Sequence, residues 1–170
     1  MELVELAGLT AQDWEQLVAG EQQPWGPDGE GLQWREKERN LGLRADDGTL
    51  LAAAGAAIVD VEVEDHASFQ VVGLGGLFVT RAERGAGFVR RLAQPLLDMA
   101  REMGPERAMI FCRLELIAPY ERLGFAEIPA PVWVDQPGRR LQMPMRSMWT
   151  ALREGAVWPP GRVDVRGLPF

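Results

Sequence analysis

The sequence of 170 residues contains one cysteine, one histidine, one tyrosine and one lysine. Each scarcity excludes something. A lone Cys112 forms no internal disulfide, and with the lone His66 it supplies no ligand set for a zinc or iron–sulfur centre. No metal is expected. No apolar run approaches the length that crosses a bilayer. Met1-Glu2-Leu3-Val4-Glu5 lacks the basic start and apolar core of a secretory leader. The expected compartment is therefore the cytoplasm, with no membrane partner. Basic charge is also short. Eighteen basic residues against 25 acidic ones leave a net charge of −7, so the basic surplus of a nucleic-acid binder is missing and no nucleic-acid partner is expected.

What is present is an ordinary globular composition, 46% hydrophobic and 25% charged, at a length that suits one domain over residues 1–170. The charge is unevenly spread. Residues 1–65 hold 15 acids and 4 bases, whereas residues 66–170 hold 10 acids and 14 bases. The second part suits an anionic ligand and the first a cationic one, and two solvated faces would look the same. Lys37 is the only lysine; every other basic residue is arginine.

Periodicity gives the order of elements. Leu3–Leu6 reads as a strand. Thr10 and Asp13 form a capping-box pattern before a helix with Trp14, Leu17 and Val18 on one face. Residues 24–31 are turn chemistry, and residues 32–39 fit a short polar helix. Leu41–Ala45 and Leu50–Val59 read as strands joined by a hairpin turn at Asp46-Asp47-Gly48-Thr49, and the alternation continues through Val61 and Val63. Ala67–Thr80 is apolar and broken by Gly73, Gly75 and Gly76. The strongest helix runs from Gly87 to Met103, with Phe88, Leu92, Leu96, Met99 and Met103 as its stripe and a kink expected at Pro95. Ala108–Cys112 is a strand, and Leu116–Leu123 a short helix stopped at Gly124. Phe125–Ile128, Val132–Val134 and Leu141–Trp149 are further strands. Residues 157–170 read as an extended arm or edge strand, packed on a neighbouring strand or on a second subunit; the latter would make a homodimer. The order predicts an α+β fold of mixed α/β layers, with a mainly antiparallel central sheet flanked by helices.

Two segments carry chemistry. Leu77-Phe78-Val79 leads through Arg84-Gly85-Ala86-Gly87-Phe88-Val89 into the long helix. A helix N-terminus offers unpaired N–H groups and a partial positive charge. Gly85 and Gly87 admit a ligand close to the backbone, and Arg84 adds charge. Glycines in such a turn also serve packing alone. The spacing is neither a Rossmann fingerprint nor a Walker A loop. The second segment is Tyr120-Glu121-Arg122-Leu123-Gly124-Phe125, where Tyr120 reads by itself as an amphipathic core residue.

Together the segments resemble the GCN5-related N-acetyltransferase (GNAT) superfamily. Arg84-Gly85-Ala86-Gly87-Phe88-Val89 is similar to its Arg/Gln-x-x-Gly-x-Gly/Ala signature, and Tyr120–Phe125 to its later Tyr-x-x-Leu-Gly-Phe segment. Beyond Trp149, Gly155-Ala156-Val157-Trp158 faintly resembles the aminoglycoside 2′-N-acetyltransferases. The resemblance implies acetyl transfer from acetyl-CoA to the amine of a small, cationic acceptor by direct attack. It divides the chain into an acceptor-side part (1–65), an acetyl-CoA-binding core (66–128) and C-terminal strands with their tail (129–170). It implies that Leu77, Phe78 and Val79 pair with the pantetheine arm and that Arg84, Gly85, Ala86, Gly87, Phe88 and Val89 wrap the pyrophosphate. Tyr120 would then protonate the departing thiolate.

The sequence departs from the family in two places. Val89 stands where the family has a small residue, and residues 67–79 contain no acid to act as base. Glu62, Glu64, Asp65, Glu115, the terminal carboxylate and His66 are candidates for that role, and Cys112 for a covalent route. Gly75 and Gly76 suit a bulge that opens the strand. A non-catalytic acyl-CoA sensor of the same fold is the alternative reading.

Overall fold

The computed structural model describes residues 1–18, 20, 21 and 29–170. Most of the turn expected over residues 24–31 lies outside them. Ten strands are described: β1 (Glu2–Leu6), β2 (Arg39–Arg44), β3 (Leu50–Val63), β4 (Phe69–Val79), β5 (Arg107–Cys112), β6 (Ala126–Glu127), β7 (Val132–Gln136), β8 (Arg139–Gln142), β9 (Arg146–Ala151) and β10 (Val163–Val165). With them come α1 (Ala11–Val18), α2 (Phe88–Glu102) and α3 (Ile117–Glu121). Among the described residues no helix is long and apolar enough to cross a membrane.

The capping box is present. The Thr10 hydroxyl accepts the Asp13 N–H at 3.1 Å, and the Asp13 carboxylate accepts the Thr10 N–H at 2.9 Å. The helix α2 runs through Pro95 as one element.

All ten strands join one sheet in the order β6-β9-β5-β4-β3-β10-β7-β8, with β2 also on β3 and β1 beyond it. Pairing is antiparallel except β4 with β5 and β10 with β7. Alternation along β3 sorts the core. Ala52, Ala54 and Ala56 lie in the cluster with Phe88, Leu92 and Leu96 of α2, and their small side chains let the helix approach. Ala53 packs with Leu17 and Phe78 under α1, while Val59, Val61 and Val63 join Val71, Met109, Val163 and Phe170.

Three expectations are corrected. Residues 32–37 form no helix, because partners distant in sequence hold this segment: Arg35 N–H donates to Pro169 at 2.6 Å, and Gln33 N–H to the Gln136 side chain at 2.8 Å. Leu141–Trp149 is two strands, β8 and β9, parted at Met143–Met145. The strand in the tail is not at an edge. It lies between β3 and β7, antiparallel to one and parallel to the other, so the tail packs on strands of its own chain.

From β10 the chain continues to Phe170, whose ring is 2% exposed and stacks on Phe111 with centroids 4.7 Å apart. A Cβ at Gly73 would sit 2.4 Å from that ring, so glycine there makes the seat. Phe170→Ala should cost about 3 kcal/mol, the usual range for emptying a buried aromatic site, measured by chemical denaturation. A loss below about 0.5 kcal/mol would mean that the ring does not anchor the tail.

Candidate functional site

The sheet is not continuous between its two parallel strands. β4 pairs with β5 only over Val72–Leu74 and Ala108–Ile110. On its other side, the register with β3 slips between Ala53 and Gly55, and Gly76 takes φ +62°. This is the bulge expected at Gly75 and Gly76. Beyond it Phe78 and Val79 still pair with β3, and the gap to β5 opens.

A cavity of about 540 Å³ fills the gap. Val89, Ala93, Leu96 and Leu97 of α2 line it on one side of the sheet; Lys37, Gly55 and Phe170 line it on the other. The opening therefore passes through the sheet. Leu77 and Phe78 form part of its wall, although Phe78 is buried and its ring meets Trp14 edge-on with centroids 6.2 Å apart. Val79 packs against the α2 side of the core.

The turn before α2 has the geometry of an anion seat. Gly87, the N-cap, has φ +81° and no side-chain cap, and Gly85 has φ +86°. A Cβ at either position would meet nothing within 4 Å, so glycine serves backbone conformation there and not close packing. The N–H groups of the first helical turn lack helical acceptors by construction. Arg84 does not stand free. Its side chain donates to the Val79 carbonyl at 3.2 Å and to the Glu21 carboxylate at 2.8 Å, which ties the turn to the end of β4. Ala86 N–H donates to Glu83 at 3.2 Å. Phe88 is buried in the core, whereas Val89 is 38% exposed and faces the cavity.

Tyr120 and Cys112 meet on the far wall. The Tyr120 ring sits edge-on to Phe125 with centroids 5.6 Å apart, and Gly124 at φ +87° makes the turn that brings them together. Burial, reinforced by Cys112, raises the pKa of the Tyr120 phenol well above its ordinary value. Burial, then Glu127 and Glu115, push the Cys112 thiol up to about 11. Both groups hold their protons at neutral pH. Tyr120 keeps a proton to give, and Cys112 is a poor nucleophile, which removes the basis for a covalent route.

Most of the base candidates lie elsewhere. Glu62, Glu64, Asp65 and His66 surround a second hollow at the far end of β3, and Arg166 bonds the Glu62 carboxylate. Glu115 is exposed and pairs with Arg113 at 3.2 Å. Only Phe170 reaches the large cavity.

Sequence reasoning missed Lys37. Its stem crosses the sheet over a cross-strand glycine pair, Gly55 and Gly75. A Cβ on Gly55 would fall 2.5 Å from Lys37 Cγ, and one on Gly75 would fall 3.2 Å from Lys37 Cε. Lys37 Nζ donates to the Arg35 carbonyl at 3.1 Å. Burial, then the Arg35 charge, bring its pKa down to about 8. The available signal was its standing as the one lysine among arginines. Among the described residues no group of acids, histidine and cysteine is placed to hold a metal ion.

The sequence profile of the Acetyltransferase (GNAT) family matches residues 6–125. Solved structures share the fold. The GNAT family N-acetyltransferase YhbS from Escherichia coli, in complex with CoA, is 20% identical with a TM-score of 0.63, covering 96% of this chain and 88% of that one. A phosphinothricin acetyltransferase from Sinorhizobium meliloti, in complex with AcCoA, is 14% identical with a TM-score of 0.59, covering 94% of each chain. The ribosomal-protein-S18-alanine N-acetyltransferase from Escherichia coli is 20% identical with a TM-score of 0.54, covering 92% of this chain and 100% of that one. A comparison with curated proteins gives no significant match.

Having one lysine makes its state measurable. Protein labelled with ¹³C-lysine should show one side-chain resonance that titrates near pH 8. A midpoint at the ordinary value of 10.5 would place the amine in water.

Proposed function

The chain belongs to the acetyltransferase (GNAT) family, and on that premise we propose that it transfers an acetyl group from acetyl-CoA to the amine of a small acceptor within the cavity. The observation that carries this reading is the parting of β4 from β5 beyond Leu74 and Ile110, with the cavity running through the sheet at that point. The amide-bearing pantetheine arm lies along Leu77–Val79, in the space that β5 leaves where its pairing with β4 stops. The pyrophosphate then falls to the N–H groups of the Gly85–Val89 turn other than that of Ala86, which Glu83 takes; glycine leaves the backbone open there and the helix end favours negative charge. Arg84 acts mainly by bracing that turn through Val79 and Glu21.

The acceptor enters from the Lys37 side. Its neutral amine attacks the acetyl carbonyl, the N–C bond forms, the C–S bond breaks, and the sulfur leaves as CoA thiolate. Tyr120 gives that thiolate a proton. The enclosure that keeps the phenol protonated suits it to the role. The walls argue against the cationic acceptor suggested by the acid-rich first part of the chain. The charged groups lining the cavity are Arg35, Lys37 and Arg113 against Glu36 and the terminal carboxylate at Phe170, a surplus of one positive charge. An amine that carries its own acidic group fits them better.

Calorimetry with acetyl-CoA should give micromolar binding, weakened about tenfold in Arg84→Ala. A thiol-release screen should favour amino acids and short peptides over polyamines. Against a working acceptor, Tyr120→Phe should lower turnover by about tenfold or more with acetyl-CoA affinity nearly intact. Unchanged turnover would remove Tyr120 from the chemistry, and no binding at about a millimolar, near −4 kcal/mol, would remove the reading itself.

A further inference from the structure

Lys37 has no part in the reaction as written, yet the fold is hollowed to seat it. Two glycines that face each other across β3 and β4 lack the Cβ atoms that would strike its stem or its neighbour Phe170. The Asn40 side-chain oxygen crowds the same place, 2.6 Å from a Cβ on Gly55. The side chain so placed runs toward Gly75, beside the bulge where β4 leaves β5.

Composition sharpens the point. Seventeen of the 18 basic residues are arginine, so charge alone would be met by arginine here as elsewhere. Lysine differs in one property that matters inside a cavity. Its nitrogen can lose a proton and expose a lone pair, which a guanidinium in a protein does not do.

From this geometry we infer that Lys37 is itself an acetyl acceptor: with acetyl-CoA in the cavity and no other amine present, its Nζ attacks the thioester and the enzyme becomes acetylated in cis. The inference rests on the acetyl-CoA reading above. The step balances. The Nζ–C bond forms, the C–S bond breaks, and the proton lost from Nζ ends on the CoA sulfur through the Tyr120 hydroxyl. A neutral amine keeps one N–H on the Arg35 carbonyl, which steadies the nitrogen while its lone pair stays free. Burial beside Gly55 and Gly75 lowers the pKa of that nitrogen to about 8, so part of the protein carries the lone pair near neutral pH. The product is an uncharged amide, so acetylation also removes the cost of holding an ammonium in a buried place.

The test needs no acceptor. The purified protein is incubated with acetyl-CoA, and intact mass and peptide fragmentation are followed over time. The gain of one acetyl group at Lys37 is expected. It should be about tenfold or more faster than with the same concentration of S-acetyl-N-acetylcysteamine, which has the thioester but no nucleotide to position it. Tyr120→Phe should slow it, and Lys37→Arg, which keeps the charge, should abolish it. If calorimetry shows that acetyl-CoA binds while Lys37 stays unmodified, or reacts no faster than in the urea-unfolded chain, the inference fails and the acetyltransferase reading stands. A Lys37→Arg protein that still gains the group, on Met1 for example, also overturns it. If acetyl-CoA does not bind at all, both fall together.

Discussion

The whole arrangement depends on a parallel strand pair that stops pairing. β4 and β5 share three register positions and then separate, which opens a gap between two neighbouring strands of the sheet. Main-chain groups beside such a gap need other partners, and the Arg84 side chain meets the Val79 carbonyl at 3.2 Å. The bulge at Gly76 creates the gap. Its cost is limited because β3 still pairs with both arms of β4 around the irregularity. A slip in the β3–β4 ladder thus accompanies an opening on its other side, with pairing to β3 resumed beyond it.

Closure comes from elements far away in sequence. Along one edge, β3 is shared, first by β2 and then by β10. Without β10 the odd-numbered valines Val61 and Val63 would lose the neighbours that bury them. The same stretch carries Phe170 to Gly73, next to the gap. The cavity therefore has an α2 wall, formed by a local strand–turn–helix unit, and an opposite wall formed by residues 34–37 and 170. The first wall is local and the second is tertiary, and this split decides what a sequence can reveal.

The local wall was legible. The Arg84–Val89 turn and the Tyr120–Phe125 segment are short pieces whose glycines adopt positive φ at the expected places. The Gly75 and Gly76 bulge follows from the same backbone logic. The tertiary wall was not. Polar periodicity over residues 32–39 suggests a helix because nothing in those residues shows that Pro169 and Gln136 will take their backbone groups. Val163-Asp164-Val165 reads as an edge strand because an inner position depends on β3 and β7 both offering a free side. Lys37 is conspicuous in composition, but only folding places it over Gly55 and Gly75.

The charge asymmetry is resolved by the fold in a way that its sum conceals. Acids of the first part find arginines: Glu5 meets Arg39, Asp13 meets Arg44, Glu21 meets Arg84, and Glu62 meets Arg166. Two of these pairs join the acid-rich part to the base-rich part, and each acts as a tie between elements. The exposed pairs Glu5–Arg39 and Glu62–Arg166 add little stability, whereas Asp13 is buried at the start of α1. Beyond a Debye length of about 8 Å the field of the remaining acids is screened by salt. What an entering molecule senses is set locally, by Arg35, Lys37, Arg113, Glu36 and the terminal carboxylate at Phe170. Of the three cations, Arg35 is committed to the Ile58 and Arg166 carbonyls, and Arg113 pairs with Glu115. Of the three, Lys37 is the one whose buried position makes its charge easiest to lose, so the state of its nitrogen tunes the electrostatics of the acceptor side.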